Sequence, residues 1–367
     1  MLMQRQKATK NMMESLFFCE KIRSVIRVDS SNLIGSGHLM RCLTLAHRYR
    51  KEGYNVAFLC RELEGNLAVL VKEQGFQLYM LPTAQKDDTL TGYGKWLTVT
   101  QEQDAAETIS ILQQFGNVGR VVVDSYAIDE TWEKIVRPNT NEIFVIDDLA
   151  NRKHDCDILL DQNYYLNKEE RYIGLVPEHC KMLLGPKYAL LRDEFYEAKE
   201  KIKSRDGQLH NILVFYGGVD ATNETSKAIK ALRRLKANGE LPDVEITVVV
   251  GGSNARKDDI DIFCQKAGFK YLCQVNNMAE LMAEADLMLG AGGTTTWERC
   301  FLTLPSIVTA VAENQFQICE DCATAGIIYY LGHWDKVAMD DIYQAIIEFK
   351  NTKMSISMQK KMSQLFS

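Results

Sequence analysis

The sequence lacks any apolar run long enough to cross a membrane. Its longest apolar strings, such as residues 246–250, have the length of a β-strand, far short of the ~20 residues that a spanning helix needs. It also lacks an excess of basic charge, because 43 lysines and arginines face 49 aspartates and glutamates and leave a net charge of −6. That balance excludes a nucleic-acid footprint over the chain as a whole. We therefore expect no membrane partner and no nucleic-acid partner.

The ten cysteines lack the pattern of a disulfide framework or a zinc site. They are scattered irregularly over a long chain, whereas secreted disulfide scaffolds are short and dense in cysteine. Cys319 and Cys322 form a C-x-x-C pair, but no second pair completes a zinc site. We expect buried free thiols, no metal, no cofactor and a cytoplasmic location. Residues 1–24 lack the apolar core and cleavage site of a secretory signal, and we interpret them as an N-terminal extension.

The composition that is present is ordinary for a globular protein, with 46% hydrophobic and 25% charged residues over 367 positions. This length indicates two domains. From Val25 onward, short apolar runs alternate with helix-periodic segments, which predicts parallel βαβ units. We predict an α/β protein with two Rossmann-like domains that face each other across a cleft. The predicted divisions are an extension at 1–24, a first domain at 25–160, a connection at 161–209, a second domain at 210–335 and terminal helices at 336–367.

The first candidate site follows the first predicted strand. Gly35 and Gly37 allow the backbone to turn tightly and approach a ligand, and His38 falls in the first turn of the next helix. A helix N-terminus disfavours a positive imidazolium, so His38 should be largely neutral near pH 7 and suited to act as a general base. The alternative is that His38 merely caps the helix or packs. A dinucleotide fingerprint is not indicated, because its third glycine is missing.

The second candidate site is the loop at 290–296, where a predicted strand ends and a helix begins. Free backbone N–H groups in such a loop suit an anion, particularly a diphosphate. Glu298, one helical turn past Thr294, could accept hydrogen bonds from the vicinal hydroxyls of a ribose. Gly217 and Gly218 follow another strand of the same domain and would line the same mouth. The alternative is an ordinary tight turn capped by threonines.

A third candidate site consists of Glu313, Asn314 and Gln315, which follow a predicted strand. Amide side chains form hydrogen bonds with sugar hydroxyls and acetamido groups without introducing charge. The alternative is that Asn314 caps the following helix. Polar residues also end the predicted strands of the first domain, at the edge where open α/β sheets bind ligands. They are Asp29, Ser30, Arg61, Asp124, Ser125, Asp147 and Asp148.

Seven motifs in this order resemble one enzyme family. They are Ile34-Gly35-x-Gly37-His38-x-Met40-Arg41-Cys42, Asp124-Ser125-Tyr126, Asp147-Asp148, Asp161-Gln162-Asn163, Leu190-Leu191-Arg192, Gly290-Ala291-Gly292-Gly293-x-Thr295-x-Trp297-Glu298 and Ala312-Glu313-Asn314-Gln315. From about Val25 to Gly332 the chain resembles the UDP-2,4-diacetamido-2,4,6-trideoxy-β-L-altropyranose hydrolases of bacterial pseudaminic acid biosynthesis. That family is similar to the glycosyltransferase-B (GT-B) fold, notably the peptidoglycan N-acetylglucosaminyltransferase.

The resemblance implies a hydrolase that releases UDP when water attacks the anomeric carbon with inversion. It implies that His38 activates the water, that Tyr126 and Asn314 lie near the sugar, and that Gln315 lies beside it. The residues expected to bind substrate are Gly35, Gly37, Arg41, Tyr126, Gly217, Gly218, Gly292, Gly293, Thr294, Glu298, Glu313, Asn314 and Gln315. The expected partners are a UDP-sugar and water, and the expected state is a monomer. Two alternatives stay open: a GT-B glycosyltransferase with a UDP-amino sugar donor, and a non-catalytic nucleotide-sugar binding protein.

Overall fold

The computed structural model describes residues 23–83, 89–202 and 205–366. Residues 1–22 of the predicted extension lie outside these ranges, and residues 23 and 24 begin the first strand. The strands are β1 (Arg23–Val28), β2 (Asn55–Arg61), β3 (Gln77–Leu81), β4 (Val118–Asp124), β5 (Ile143–Ile146), β6 (Ile158–Asp161), β7 (Lys181–Leu184), β8 (Asn211–Phe215), β9 (Glu245–Val250), β10 (Lys270–Cys273), β11 (Leu287–Ala291), β12 (Ser306–Ala310) and β13 (Tyr329–His333).

The α-helices lie mainly between successive strands, as expected for βαβ units. They are α1 (Gly37–Lys51), α2 (Val69–Glu73), α3 (Gln101–Leu112), α4 (Glu130–Val136), α5 (Asp193–Lys201), α6 (Glu224–Ala237), α7 (Lys257–Ala267), α8 (Met278–Glu284), α9 (Thr295–Phe301), α10 (Phe316–Thr324), α11 (Met339–Asn351) and α12 (Met354–Gln364). Within the described ranges, none of these helices combines the length and the apolar character that a membrane span requires.

Two compact units make up the described chain. The first contains the residues up to Asp161 together with Arg171–Leu183, and the second contains Gln162–Glu170 and the residues from Leu184 onward. The segment 161–209, which we expected to connect two domains, is thus divided between the units. Its later part contributes Ala189 and Phe195 to the hydrophobic core of the second unit.

The first unit is built on a seven-stranded sheet in the order β3-β2-β1-β4-β5-β6-β7. Strand β1 pairs in parallel with both β2 and β4, and Val28 lies opposite Asp124 at the carboxyl end. All residues of β1 except the first are buried, which fits a strand covered on both faces. The strand order reverses between β1 and β4, and ligands of open α/β sheets bind at such a switch point.

The second unit repeats this arrangement with a six-stranded sheet in the order β10-β9-β8-β11-β12-β13. Its strand order reverses between β8 and β11, which pair in parallel with Gly290 opposite Phe215. The glycines that follow β8 and those that follow β11 are therefore brought to the same point of this sheet. Helix α11, which we expected among separate terminal helices, contributes Ile342, Ile346 and Phe349 to the same core.

The cysteines of the described residues are free, as expected, but they are not all buried. Cys273 is exposed and Cys180 is half-buried. Both lie at the margin of a sheet, since Cys273 ends the edge strand β10 and Cys180 immediately precedes the edge strand β7. The expectation of uniformly buried thiols is wrong at these two positions.

A buried carboxylate on α3 joins three other elements of the first unit. Oδ2 of Asp104 accepts hydrogen bonds of 2.7 Å from Nη2 of Arg27 and 2.7 Å from Nη2 of Arg61. Its Oδ1 accepts hydrogen bonds from Nε of Arg27 at 3.0 Å and from Nε1 of Trp132 at 2.9 Å. Burial raises the pKa of Asp104, but the two guanidinium groups outweigh burial and lower it to about 2.

Asp104→Asn is expected to reduce the free energy of unfolding by roughly 3–5 kcal/mol, because it leaves two buried guanidinium groups without a shared anion. The folded-state pKa of Asp104 is depressed, so this stabilisation is complete above about pH 4 and is lost as the pH falls toward 2. Urea unfolding at several pH values should therefore show a shallower acid dependence for Asp104→Asn. Glu107→Gln, which changes the partly exposed partner of Arg61, serves as the control and should cost less. Equal unfolding midpoints for Asp104→Asn and the unchanged chain would contradict this prediction.

Candidate active site

A histidine, a carboxylate and an arginine meet at the switch point of the first sheet. His38 lies in the first turn of α1, and its Nδ1 is 2.6 Å from Oδ1 of Asp124, the last residue of β4. Arg41, one turn further along α1, donates from Nε to Oδ2 of Asp124 at 2.6 Å and from Nη2 to Oδ1 at 2.7 Å. The three side chains meet because β4 lies beside β1, the strand that leads into α1.

The electrostatics of this cluster decide which nitrogen of His38 is available. Burial raises the pKa of Asp124, but Arg41 and then His38 outweigh burial and hold this pKa well below its usual range. An ionised carboxylate only accepts hydrogen bonds, so we assign the proton of the His38–Asp124 bond to Nδ1. When the ring is neutral, Nε2 then carries the lone pair. The His38 side chain keeps 10% of its surface exposed, and its Nε2 forms no hydrogen bond with a described residue.

Aromatic side chains surround the His38 ring. Tyr126 meets it edge to face at a centroid distance of 4.7 Å, and Trp96 does so at 5.7 Å. The Tyr126 hydroxyl donates a hydrogen bond to Asp148, which also accepts from Nη1 of Arg41 at 3.1 Å. Burial and the neighbouring Asp148 raise the pKa of Tyr126, so its hydroxyl stays protonated. The ring of His38 is thus held by a hydrogen bond to Asp124 on one side and by the rings of Tyr126 and Trp96 around it.

The loop that leads into α1 needs a glycine at one position. Gly35 has a φ of +78°, a backbone conformation that favours glycine, and its N–H donates to the carbonyl of Ser31 at 2.8 Å. Gly37 begins α1 without a positive φ. A Cβ at either glycine would meet no described atom within 4 Å, so this loop leaves open space beside His38.

The glycine loops of the second unit lie in close contact at its own switch point. A Cβ at Gly290 would lie 2.8 Å from the carbonyl oxygen of Phe215, and one at Gly251 would lie 2.1 Å from the carbonyl oxygen of Gly218. Gly217 has a φ of +96°, a conformation that favours glycine. The backbones at the ends of β8, β9 and β11 can approach this closely only because side chains are absent.

Among the described residues, Thr294 and Asn314 do not form the side-chain capping hydrogen bonds that the alternative interpretations of these loops require. Thr294 is the N-cap residue of α9, but within the described chain its side chain accepts no capping hydrogen bond. Asn314 lies in a 3-10 turn, Glu313–Gln315, and the N-cap of α10 is Gln315. Oε1 of Gln315 accepts a hydrogen bond of 3.0 Å from the N–H of Val311. Its Nε2 lies 3.7 Å from the Cβ position of Gly293, so the amide faces the glycine loop.

Glu298 lies one turn into α9 and has an arginine partner that the sequence did not indicate. Its Oε1 is 3.3 Å from Nη2 of Arg192. Burial raises the pKa of Glu298, and Arg192 opposes this rise only in part. The side chain can still accept hydrogen bonds from ligand hydroxyls when it is ionised.

The predicted residues therefore fall into two groups, one on each unit. Those of the first unit are Gly35, Gly37, His38, Arg41 and Tyr126. Those of the second unit are Gly217, Gly218, Gly292, Gly293, Thr294, Glu298, Glu313, Asn314 and Gln315. Sequence reasoning missed Asp124 as the partner of His38, and it also missed Trp96. Their roles are visible only when the strand order and the turn Gly92–Trp96 are known.

Gly292→Ala is expected to destabilise the second unit by about 1–3 kcal/mol, because the added Cβ would lie 2.3 Å from Sγ of Cys319. Combining it with Cys319→Ala should recover most of the loss, since the truncated side chain leaves room for the methyl group. Gly293→Ala is the matched control, because its Cβ meets only Nε2 of Gln315 at 3.7 Å. Denaturant unfolding of these three variants and the unchanged chain measures the effect. Equal losses of stability for Gly292→Ala and Gly293→Ala would contradict the predicted contact between the new Cβ and Sγ of Cys319.

The fold defined by the two parallel sheets is that of the GT-B enzymes. A solved structure of MurG from Acinetobacter baumannii is similar over 94% of this chain and 95% of its own, with a TM-score of 0.64 at 14% identity. The predicted fold class, α/β with two Rossmann-like domains, is confirmed. The cleft between them stays a prediction.

Sequence comparisons identify more specific relatives than the fold does. Residues 211–326 match the family model described as the Glycosyltransferase family 28 C-terminal domain. The chain is 27% identical over 297 residues to the UDP-2,4-diacetamido-2,4,6-trideoxy-beta-L-altropyranose hydrolase of Campylobacter jejuni, covering 80% of this chain and 93% of that protein. It is also 26% identical over 312 residues to an uncharacterized protein of Methanocaldococcus jannaschii, covering 82% of this chain but 58% of that longer protein. The resemblance inferred from the motifs is confirmed.

Proposed function

We propose that the protein is a hydrolase that cleaves UDP from a UDP-2,4-diacetamido-2,4,6-trideoxyhexose of the altropyranose type, in pseudaminic acid biosynthesis. The observation that carries the proposal is the His38–Asp124 pair, because it leaves Nε2 of an oriented imidazole available to water. The name of the Campylobacter jejuni relative supports the choice of reaction and substrate. The proposal includes a cytoplasmic monomer that acts without a metal or cofactor.

The first unit supplies the base. Nε2 of His38 takes a proton from water as the water oxygen forms a bond to the anomeric carbon. Asp124 keeps the other ring proton on Nδ1 and stabilises the imidazolium that forms. Arg41 holds Asp124 through two hydrogen bonds, so the carboxylate and the ring keep their orientation. In this role Arg41 acts through Asp124, and Tyr126 lies beside the ring near the sugar.

The second unit holds the leaving group. The bond between the anomeric carbon and the β-phosphate oxygen breaks, and its electron pair stays on that oxygen as UDP departs with inversion at carbon. Backbone N–H groups of the loops at Gly217–Gly218 and Gly292–Thr294 stabilise the diphosphate charge. Glu298 accepts hydrogen bonds from the ribose, and the segment of Glu313, Asn314 and Gln315 binds the acetamido groups of the sugar. The products are the free sugar, UDP and the proton that His38 later returns to solvent.

A glycosyltransferase that uses a UDP-amino sugar donor is the second candidate. The match of residues 211–326 to the C-terminal domain of glycosyltransferase family 28 favours it, because the same loops would hold the same donor. The two reactions differ in the acceptor, which is water for the hydrolase and a second hydroxyl compound for the transferase. A non-catalytic binding protein would retain UDP affinity and form no product.

Incubation with the UDP-diacetamido sugar alone, in water enriched in ¹⁸O, tests the proposal. Release of UDP and free sugar, with the label in the sugar and not in UDP, is the expected result, and proton NMR of the first-formed anomer reports inversion. UDP-N-acetylglucosamine, which lacks the 4-acetamido group, is the control substrate. Binding of the UDP-sugar by the protein without any cleavage would contradict hydrolysis. Turnover that starts only when a hydroxyl acceptor is added would support the transferase.

A further inference from the structure

A fully buried arginine lies against the glycine loop of the second unit. Arg299, on α9, has no exposed surface. Its Nη1 donates a hydrogen bond of 2.9 Å to the carbonyl oxygen of Ala291, the last residue of β11, and its Nη2 donates one of 2.8 Å to Oγ1 of Thr296. A Cβ at Gly290 would lie 3.5 Å from Nη1. The guanidinium thus contacts both ends of the loop, where the strand finishes and where the helix begins.

Arg299 differs from the fully buried arginines of the first unit in having no carboxylate as an ion-pair partner among the described residues. The other fully buried arginines there are Arg27 and Arg61, and each forms an ion pair with Asp104 at 2.7 Å. Within the described chain, Arg299 forms no such pair, and its Nε has no hydrogen-bond partner. The neighbouring carboxylate, Glu298, interacts electrostatically with Arg299 but forms its ion pair with Arg192. Burying an unpaired charge is costly, so an arginine without a buried anion requires a reason.

The surrounding thiols do not supply the missing negative charge. Cys300, Cys319 and Cys322 interact electrostatically with Arg299. Burial raises the pKa of Cys300 and that of Cys319 to about 12, and it raises the pKa of Cys322 well above its usual value. All three thiols are therefore protonated and neutral at physiological pH. The guanidinium itself keeps its proton, because arginine does not lose it in proteins.

We propose that the missing counter-charge of Arg299 is the diphosphate of a nucleotide bound on the loop at 290–296. The inference rests on the proposed function and adds a residue to it. Arg299 is a positioning residue that acts through the loop: its hydrogen bonds engage the Ala291 carbonyl and the Thr296 hydroxyl. Its charge acts in a region shielded from solvent, where a charge–charge interaction is weakly screened. The positive charge of Arg299 is thus balanced only when an anion is bound on the loop.

Substitutions that separate charge from hydrogen bonding test this inference. Arg299→Lys keeps the charge, Arg299→Gln keeps donors without charge, and Arg299→Met keeps neither. Calorimetric titration with UDP, inorganic pyrophosphate and uridine is expected to show that Arg299→Lys retains anion affinity within about threefold. The two neutral variants should lose roughly 10- to 100-fold for UDP and pyrophosphate and nothing for uridine. Arg234→Met, which removes an exposed positive charge from the last turn of α6, is the control for net charge.

The outcomes distinguish this inference from the proposed function. Equal losses in Arg299→Lys and Arg299→Gln would overturn it, because hydrogen bonding alone would then explain the arginine. Unchanged UDP affinity in Arg299→Gln would also overturn it, and this variant decides the question if Arg299→Met fails to fold. Another outcome is that the unchanged chain binds UDP more tightly than the neutral Arg299 variants and yet hydrolyses no UDP-sugar. That result would contradict the proposed function and support the inference. Binding of neither UDP nor pyrophosphate would contradict both.

Discussion

His38→Gln is expected to slow release of UDP from the UDP-diacetamido sugar by roughly 10³-fold or more while UDP itself binds with unchanged affinity. A glutamine amide can still donate a hydrogen bond to Asp124, so the ion pair between Asp124 and Arg41 need not rearrange. It cannot take a proton from water, because an amide nitrogen has no available lone pair. The loss therefore isolates proton transfer from substrate binding, since the loops that we propose to bind UDP lie on the other unit.

Single-turnover release of UDP measures this effect, and calorimetric titration with UDP checks the second unit. Helix α1 offers a matched control in His47, whose Nε2 lies 2.6 Å from Oε1 of Gln74. His47→Gln changes the same residue type on the same helix away from the switch point and should keep turnover within about threefold, as expected for a surface-proximal substitution. Turnover of His38→Gln within tenfold of the unchanged chain would remove His38 from the mechanism.

Much of the fold could be predicted from the spacing of apolar residues, because strands buried on both faces have an unbroken apolar pattern. The alternation of strands and helices that the sequence predicts from Val25 onward is present in both units. The pattern does not indicate a strand at Lys181–Leu184, which forms β7. That strand lies at the edge of its sheet, where only its last residue is buried, and its run of three apolar residues is too short to distinguish a strand from another element.

The candidate site could be predicted only in part, for a related reason. His38 and the glycine loop are local signals, since a strand, a turn and a helix start are adjacent in the sequence. Asp124 was recognised as a polar residue at a strand end, but its pairing with His38 depends on β4 lying beside β1. Trp96 reaches His38 from a 3-10 turn that has no apolar period. The unpaired charge of Arg299 depends on which carboxylates lie near it, and spacing along the chain does not contain that information.

Asp124→Asn is expected to reduce turnover by roughly 10²- to 10⁴-fold, although it changes one oxygen to an NH₂ group. Both carboxylate oxygens are used: Oδ1 binds His38 and Arg41, and Oδ2 binds Arg41. If the new NH₂ group faces His38, it donates to Nδ1 and shifts the ring proton to Nε2, which removes the base. If it faces Arg41, two donors oppose each other and the guanidinium loses an anion in a buried site. Either orientation damages the base without removing the imidazole.

The kinetic signature separates this positioning role from a general loss of structure. Because the proposed substrate contacts on the second unit are untouched, kcat should fall far more than KM changes, and UDP affinity should stay the same. Asp148→Asn is the matched control, since Asp148 is the other carboxylate partner of Arg41 at 3.1 Å and does not contact His38. Its amide oxygen can still accept the hydrogen bond from Tyr126, so this variant should reduce kcat far less than Asp124→Asn. Far-UV circular dichroism and urea unfolding establish that each variant is folded. A folded Asp124→Asn variant with near-normal kcat would show that the function of His38 does not depend on this carboxylate. The assignment of the ring proton to Nδ1 of His38 would then lose its support.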